Sequence, residues 1–433
     1  MTARRCGLLV VLVAVSGGLP YGASRLWRAL SDRTALTEIQ GQIEAGRHVV
    51  AARNLAKVLA QDPGSDEAAY LLGSCEKALG RTEAARKAWA RVPAGSRFGV
   101  LAVMGRAKLE VDGGRFADAE DLVNETLRDP GVDGSDLRRF LAPLFWHEGR
   151  GVEAWSLVEA NWHGLNRAGR GGSGQAIELV RLHILLSVGS TSLDVLNRFL
   201  ERAASLSPED DRVWLGRANL AIRRRAFDEA SRLLVFCLQR RPLDVPVWRT
   251  RLDWAMATDR VDVARECLTH LPVEKCTPGE VYKLEAWLAE KRGHVQSEWR
   301  ALDLLIAAEP ADCAALERLA VLADRGNQSG LAAELRGRKT EIDQMSGRYK
   351  ELFLRDQLLR NAKEMARLAS RLGRIFEARV FWSVAVAAEP DRGDLRKELA
   401  ALRQPETLVA APGQTVAEVI ASRLDKAVPV SPP

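Results

Sequence analysis

A glycine followed five residues later by an alanine recurs along this chain at a fixed spacing, and that spacing limits the fold more than any other feature. Gly46 with Ala51, Gly80 with Ala85 and Gly114 with Ala119 are each 34 residues apart, and Gly149 with Ala154 follows 35 later. The register returns with Trp214, Ala230 and Pro242, then 34 residues on with Trp248 and Ala264, and last with Gly373, Ala378 and Pro390. A period of this length marks one supersecondary unit repeated. Within the repeats, apolar residues such as Leu196, Phe199, Leu200 and Ala203 recur at helical spacing. Asp62-Pro63, Ser207-Pro208, Glu309-Pro310 and Glu389-Pro390 each stop one helix and open a turn. A helical hairpin this small cannot bury its own apolar face, so neighbours must stack to cover it. The expectation is an all-α chain folded as an α-solenoid, and no segment reads as a strand.

The pattern resembles the tetratricopeptide repeat, which carries an aromatic at position 4, Leu-Gly or Leu-Ala at 7 and 8, Gly near 15, Ala at 20, a large apolar residue at 24 and Pro at 32. The second repeat, from Asp66, has Leu72-Gly73, Gly80, Ala85 and Trp89; the sixth, from Asp211, has Trp214, Ala218, Ala230, Leu234 and Pro242. The tenth has Ala366, Gly373, Ala378, Trp382 and Pro390. Repeat starts fall at 32, 66, 100, 135, 177, 211, 245, 279, 313 and 359. The resemblance implies a right-handed superhelix of about ten hairpins with a concave and a convex side. Repeat four lacks the closing Pro, repeat eight has Glu298 for Ala, and repeat nine has Asn327 for Gly.

Two register slips divide the array. Repeats 1–4 occupy 32–168 and repeats 5–10 occupy 177–403, with a slip of eight residues between them. The excess is glycine-rich, Gly164 to Gly174, and reads as a non-helical hinge or loop over 164–176. A slip of twelve before repeat ten falls on the helix-forming stretch Arg338 to Asn361, which predicts a lengthened helix. Residues 404–433 read as a Pro-containing flexible tail or a docking segment, with one helix, Val416 to Lys426.

Residues 1–31 read as a signal peptide or membrane anchor. Arg4 and Arg5 precede an uncharged stretch from Cys6 to Ser24, 19 residues long, which just spans a hydrocarbon core of roughly 30 Å. Residues 6–24 therefore predict membrane contact, either an anchor with the repeats outside the cytoplasm or export, at the envelope of a bacterial-type cell. A buried cytosolic helix is the alternative. Of the net charge of +6, +4 lies in the first 33 residues, so basicity is no sign of a nucleic-acid partner.

No motif argues for chemistry. Gly169-Arg-Gly171-Gly-Ser-Gly174 satisfies a dinucleotide fingerprint only on paper, because no strand precedes it. The six histidines form no H-E-x-x-H, the six cysteines no C-x-x-C, and no G-x-S-x-G is present. Catalytic residues, cofactor and metal are all expected to be none. Cys237 and Cys267 read as small core residues, with a disulfide between neighbouring repeats as the alternative.

One charge cluster remains. From Arg212 to Arg251 ten arginines face three acidic residues. Ligands of the family lie on first-helix positions 2, 5, 9, 12 and 13, and the resemblance carries these onto Arg212, Asn219 and Arg223 in repeat six, Arg249 and Asp253 in repeat seven, and Lys283, Trp287 and Lys291 in repeat eight. These are the partner-binding candidates, and they imply an extended acidic peptide or glycan. The expected function is a non-enzymatic protein-protein interaction scaffold. A cytosolic regulatory adaptor, or an enzyme with a site between helices, are the other readings.

Overall fold

The computed structural model describes residues 34–167, 173–188, 192–402, 408, 411 and 413–425. These form two compact units, Met1–Leu137 and Arg138–Pro433. In the first, α1 (34–44) pairs with α2 (His48–Gln61), α3 (Asp66–Ala78) with α4 (Thr82–Trp89), and α5 (Gly99–Asp112) with α6 (Phe116–Leu127). Helix α7 (Ser135–His147) opens the fourth hairpin, which α8 (Gly151–Arg167) closes. The fifth to seventh hairpins are α9 (Ser173–Val188) with α10 (Leu193–Leu206), α11 (Asp211–Arg223) with α12 (Phe227–Arg240), and α13 (Val245–Ala257) with α14 (Val261–Thr269). The last three are α15 (Pro278–Lys291) with α16 (Val295–Ala308), α17 (Cys313–Arg325) with α18 (Ser329–Leu354), and α19 (Ala362–Arg371) with α20 (Ile375–Ala388). Helices α21 (Gly393–Ala401) and α22 (Val416–Asp425) follow. Among the described residues there is no strand, and the hairpins begin at or within four residues of the expected repeat starts: the α-solenoid architecture holds.

The two helices of a hairpin start for different reasons. Four first helices take a side-chain cap: Ser65 accepts from Ala68 N–H, Asp210 from Arg212 and Val213 N–H, Thr277 from Glu280 N–H and Asp312 from Ala315 N–H. Most second helices have none, α10 with its Ser192 cap being an exception, and start after a residue at position 15 in the left-handed region. Gly46, Gly80, Gly114, Gly149, Gly293 and Gly373 hold φ between 70° and 81° there. The next N–H then bonds back over the turn, as in Arg81 N–H to Glu76 O at 2.8 Å and Arg374 N–H to Ala369 O at 2.9 Å. Five residues on, the small residue where the helices cross is fully buried, as at Ala51, Ala85, Ala119, Ala154, Ala230, Ala264 and Ala378.

In the first unit the core gathers on Leu36, Leu55, Ala85, Trp89 and Leu109. In the second, one cluster centres on Leu215, Leu234 and Cys237 and another on Trp248, Leu252, Leu268, Leu271 and Leu288. The period extends to atoms: Trp214 Nε1 donates to Pro208 O and Trp248 Nε1 to Pro242 O, both at 2.8 Å.

Two expectations change, and of the two readings of the tail one holds for α22. Helix runs through Gly164 to Arg167 and resumes at Ser173, so the segment read as non-helical is helical at both ends; residues 168–172 lie outside the described ones. The division into compact units falls at Leu137/Arg138 instead of at the glycines. In the expected tail, α22 is docked: Val416 and Ile420 are buried beside Leu271 and Leu268. The slip before repeat ten does lengthen a helix, since α18 has 26 residues. Residues 1–31 lie outside the described ones, and among the described residues no helix is long and apolar enough to cross a membrane.

Candidate functional site

The residues expected to line a cationic groove divide into spent and open. Arg212 is 4% exposed and gives Nη1 to Asp244 Oδ2 at 2.5 Å, so it ties the start of α11 to the residue capping α13. Arg249 pairs with Glu280 and also donates to Lys275 O at 2.7 Å. Its charge is consumed inside the array. Asn219 Nδ2 donates to Glu148 O at 2.9 Å and to Thr250 Oγ1 at 3.0 Å, which joins the fourth, sixth and seventh hairpins. Lys291 pairs with Asp259 and lies 5.7 Å from the Trp287 ring, which is partly buried in the core. Arg223 is exposed, and Lys283 keeps 60% of its side chain open, with Asp312 at 4.0 Å. Asp253 keeps a solvent-exposed surface while protein encloses it on most sides. That desolvation pushes its carboxyl up to about 6, against the pull of Arg249.

The second unit holds a cavity of about 1050 Å³. It exists because the array turns back on itself: α9 of the fifth hairpin packs on α20 of the tenth. The seam is polar. Glu377, 1% exposed, accepts from Tyr349 Oη and lies 3.1 Å from His183 Nδ1, with Arg374 Nη1 at 3.5 Å. Burial alone raises a carboxyl, but here His183, Arg374 and Tyr349 outweigh it and hold Glu377 below the usual range. These partners come from α9, α18 and the start of α20, so the cluster fastens three helices. Arg181 of α9 pairs with Asp356 beside it.

The cavity wall is acidic and aromatic. Glu159, Glu309, Asp312, Glu377 and Glu398 line it against one arginine, Arg374, with Trp155, His183 and Phe376 supplying rings. His183 and Phe376 centroids are 4.6 Å apart, and Trp155 lies 6.0 Å from His183. The Trp155 indole Nε1 is buried with no hydrogen-bond partner. Burial pushes the Glu309 carboxyl up, and Asp312 beside it adds to the rise.

Sequence reasoning missed this site. Glu377 sits next to the crossing Ala378 at a position the register buries, and an acid there was the available signal. Glu298 is the parallel case: it is 3% exposed in place of alanine and takes Arg318 Nε at 2.5 Å from the next hairpin. Cys75, Cys237 and Cys267 are buried free thiols, and burial pushes the last two up to about 12. Among the described residues no group of His, Cys, Asp and Glu is placed to hold a metal ion.

Residues 42–97 match the tetratricopeptide repeat family model. Arrays of this repeat are in general protein-interaction scaffolds. A search of curated proteins finds no match. Among solved structures the chain is similar to the APC/C hetero-tetramer Cut9-Hcn1, at 14% identity over 86% of this chain and 90% of that one, with a TM-score of 0.33. It is also similar to the P58(IPK) TPR domain, at 14% identity over 91% of this chain and 99% of that one, with a TM-score of 0.23. PilF of Pseudomonas aeruginosa matches 54% of this chain and 87% of its own, at 14% identity and a TM-score of 0.21. The fold assignment rests on the hairpin register and not on these superpositions.

Proposed function

We propose that the chain is a non-enzymatic interaction scaffold whose second unit takes an extended polypeptide segment carrying basic side chains into the cavity closed by α9 and α20. The uncharged stretch of residues 6–24 supports a position at the membrane of the cell envelope. The observation that carries the reading is the charge of the cavity wall: of its five carboxylates Glu377 and Asp312 are engaged within the fold, which leaves Glu159, Glu309 and Glu398 for a ligand against one arginine that is already paired, and the crowding of Glu309 by Asp312 favours a cation beside them. Trp155 and Phe376 add an aromatic surface. The acidic partner expected from the arginine-rich stretch loses its main contacts, since Arg212 and Arg249 are bound internally.

The test is binding of an extended Lys/Arg-containing peptide library to the full chain, compared with an acidic library of equal length. The variant Glu309→Gln/Glu398→Gln is expected to bind the basic peptides at least tenfold more weakly, because a charge-assisted contact contributes about 1.5 to 3 kcal/mol. Preference for the acidic library, or an unchanged affinity in the variant, overturns the cavity reading. For the envelope, fractionation of a C-terminally tagged chain is expected to place it with membranes or outside the cytoplasm. The Leu12→Arg change is expected to abolish this, since a central charge costs about 2.5 to 3.5 kcal/mol on insertion scales.

A further inference from the structure

The second helix of the seventh hairpin stops short. α14 has nine residues where α12, α16 and α20 each have 14, and the chain leaves it through a single 3-10 turn, Val273–Lys275. The apolar surface this exposes on α14 and α15 is covered by α22. Val416, Val419 and Ile420 are buried against a cluster that includes Trp248, Leu268, Leu271 and Leu288. The backbones pair at the entry: Val273 N–H donates to Gln414 O and Val416 N–H to Leu271 O, both at 2.9 Å. At the far end Arg423 Nε donates to Glu285 Oε2 at 2.7 Å, with its guanidinium 4.9 Å from the Tyr282 ring. Glu285 is 3% exposed, so whatever covers this surface must bring a cation or leave a carboxylate buried without its ion pair.

We propose that the slot between α14 and α15 is a docking site for an amphipathic helix of another protein, which the chain occupies with its own tail until that helix displaces it. The occupant it fits is defined by α22 itself: a Thr-x-x-Glu start, apolar residues at the spacing of Val416, Val419 and Ile420, and an arginine three residues after the isoleucine, at the place of Arg423. Two features suit this helix to exchange, the first of which it shares with α15. It carries its own start signal, Thr415 N–H to Glu418 Oε2 at 2.9 Å and Glu418 N–H back to Thr415 Oγ1 at 3.4 Å, so it forms without the array's register. It is also held by three apolar side chains, two backbone bonds and one ion pair, a hold that depends on tethering. A short tether supplies an effective concentration on the order of millimolar, which a free helix must overcome. The buried Glu285 supplies selectivity, because a helix without the basic residue strands it. None of these residues lines the cavity, so this site stands or falls apart from the peptide reading above.

The experiment titrates a fluorescein-labelled peptide of residues 411–426 into the full-length chain and into full-length Ile420→Asp, followed by fluorescence anisotropy. The variant, with its tail undocked and its slot intact, is expected to bind at least tenfold more tightly than the wild type. The same peptide with Arg423→Glu is expected to lose at least tenfold. Full-length Arg423→Glu, which alters one partly exposed side chain, serves as the second displaced form and is expected to bind the unmodified peptide more tightly than wild type. Equal binding to wild type and both variants, or no binding to variants that melt as wild type does, overturns the proposal. So does a concentration-dependent wild-type dimer in sedimentation that Ile420→Asp abolishes, because the slot then belongs to a second copy.

Discussion

Arg225, Asp259 and Asn327 hold φ of 61°, 56° and 59° at the position where other hairpins have glycine. A side chain in that region costs roughly 1 to 2 kcal/mol, less for Asn and Asp, and glycine returns part of the gain as chain entropy. Arg225→Gly is therefore expected to stabilise the second unit by about 0.5 to 1 kcal/mol, and Asn327→Gly by less, read from urea midpoints. The opposite holds where a glycine is needed for space. A Cβ on Gly73 would stand 2.5 Å from the Trp89 ring and one on Gly105 2.9 Å from it, so the indole is clamped between α3 and α5. Gly73→Ala is expected to destabilise the first unit by about 1 to 3 kcal/mol through overpacking. Gly41→Ala, with open space around it, is expected to gain about 0.5 to 1 kcal/mol of helix propensity. A thermal melt that ranks the two alanine variants the other way contradicts this account.

At the scale of helices, α13 joins packing to titration. Asp253 is raised to about 6, so the folded chain holds its proton more tightly than the unfolded chain does. The sign follows: the stabilisation is complete below the unfolded value near 4 and is lost as pH rises through about 6. Asp253→Asn is expected to raise the melting temperature relative to wild type at pH 7.5 and to leave it nearly unchanged at pH 4. Equal differences at both values rule out the proposed desolvation. Helix positions were legible because Gly and Ala at fixed offsets encode turns and crossings directly. The glycine-rich run from Gly164 misled because Gly in a helix costs only about 1 kcal/mol, which packing of α8 and α9 outweighs. Groove residues were legible by position but not by role: Arg212 and Arg249 stand where the register puts them, and Asp244 and Glu280, a repeat away, take up their charge. The helix of the tail and its docking were within the sequence reading, but the surface it covers was not, since a short α14 shows only as a missing closing proline.

The second unit departs most from a simple repeat array. In an open solenoid each hairpin touches only its neighbours, and loss of one contact is felt locally. Here α9 meets α20 across the cavity and α22 returns to α14, so the fifth hairpin with the tenth, and the tail with the seventh, share contacts that sequence spacing does not announce. Glu377 is central to that closure because it is buried and its oxygens serve His183 and Tyr349 from two other helices. Its carboxyl is held low, so the stabilisation is present above the unfolded value near 4.5 and is lost as pH falls through the lower folded value. Glu377→Ala leaves Tyr349 and Arg374 facing a void at a site where breaking one buried partner costs about 3 to 5 kcal/mol. The expected result is a fall in hydrogen-exchange protection in α9 and α20 together, with α15 and α16 changing little. Phe376 and Trp155 then lose their fixed spacing, and affinity for basic peptides falls with them. Loss of protection confined to α20 means that the seam is incidental and that each hairpin stands on its neighbours alone.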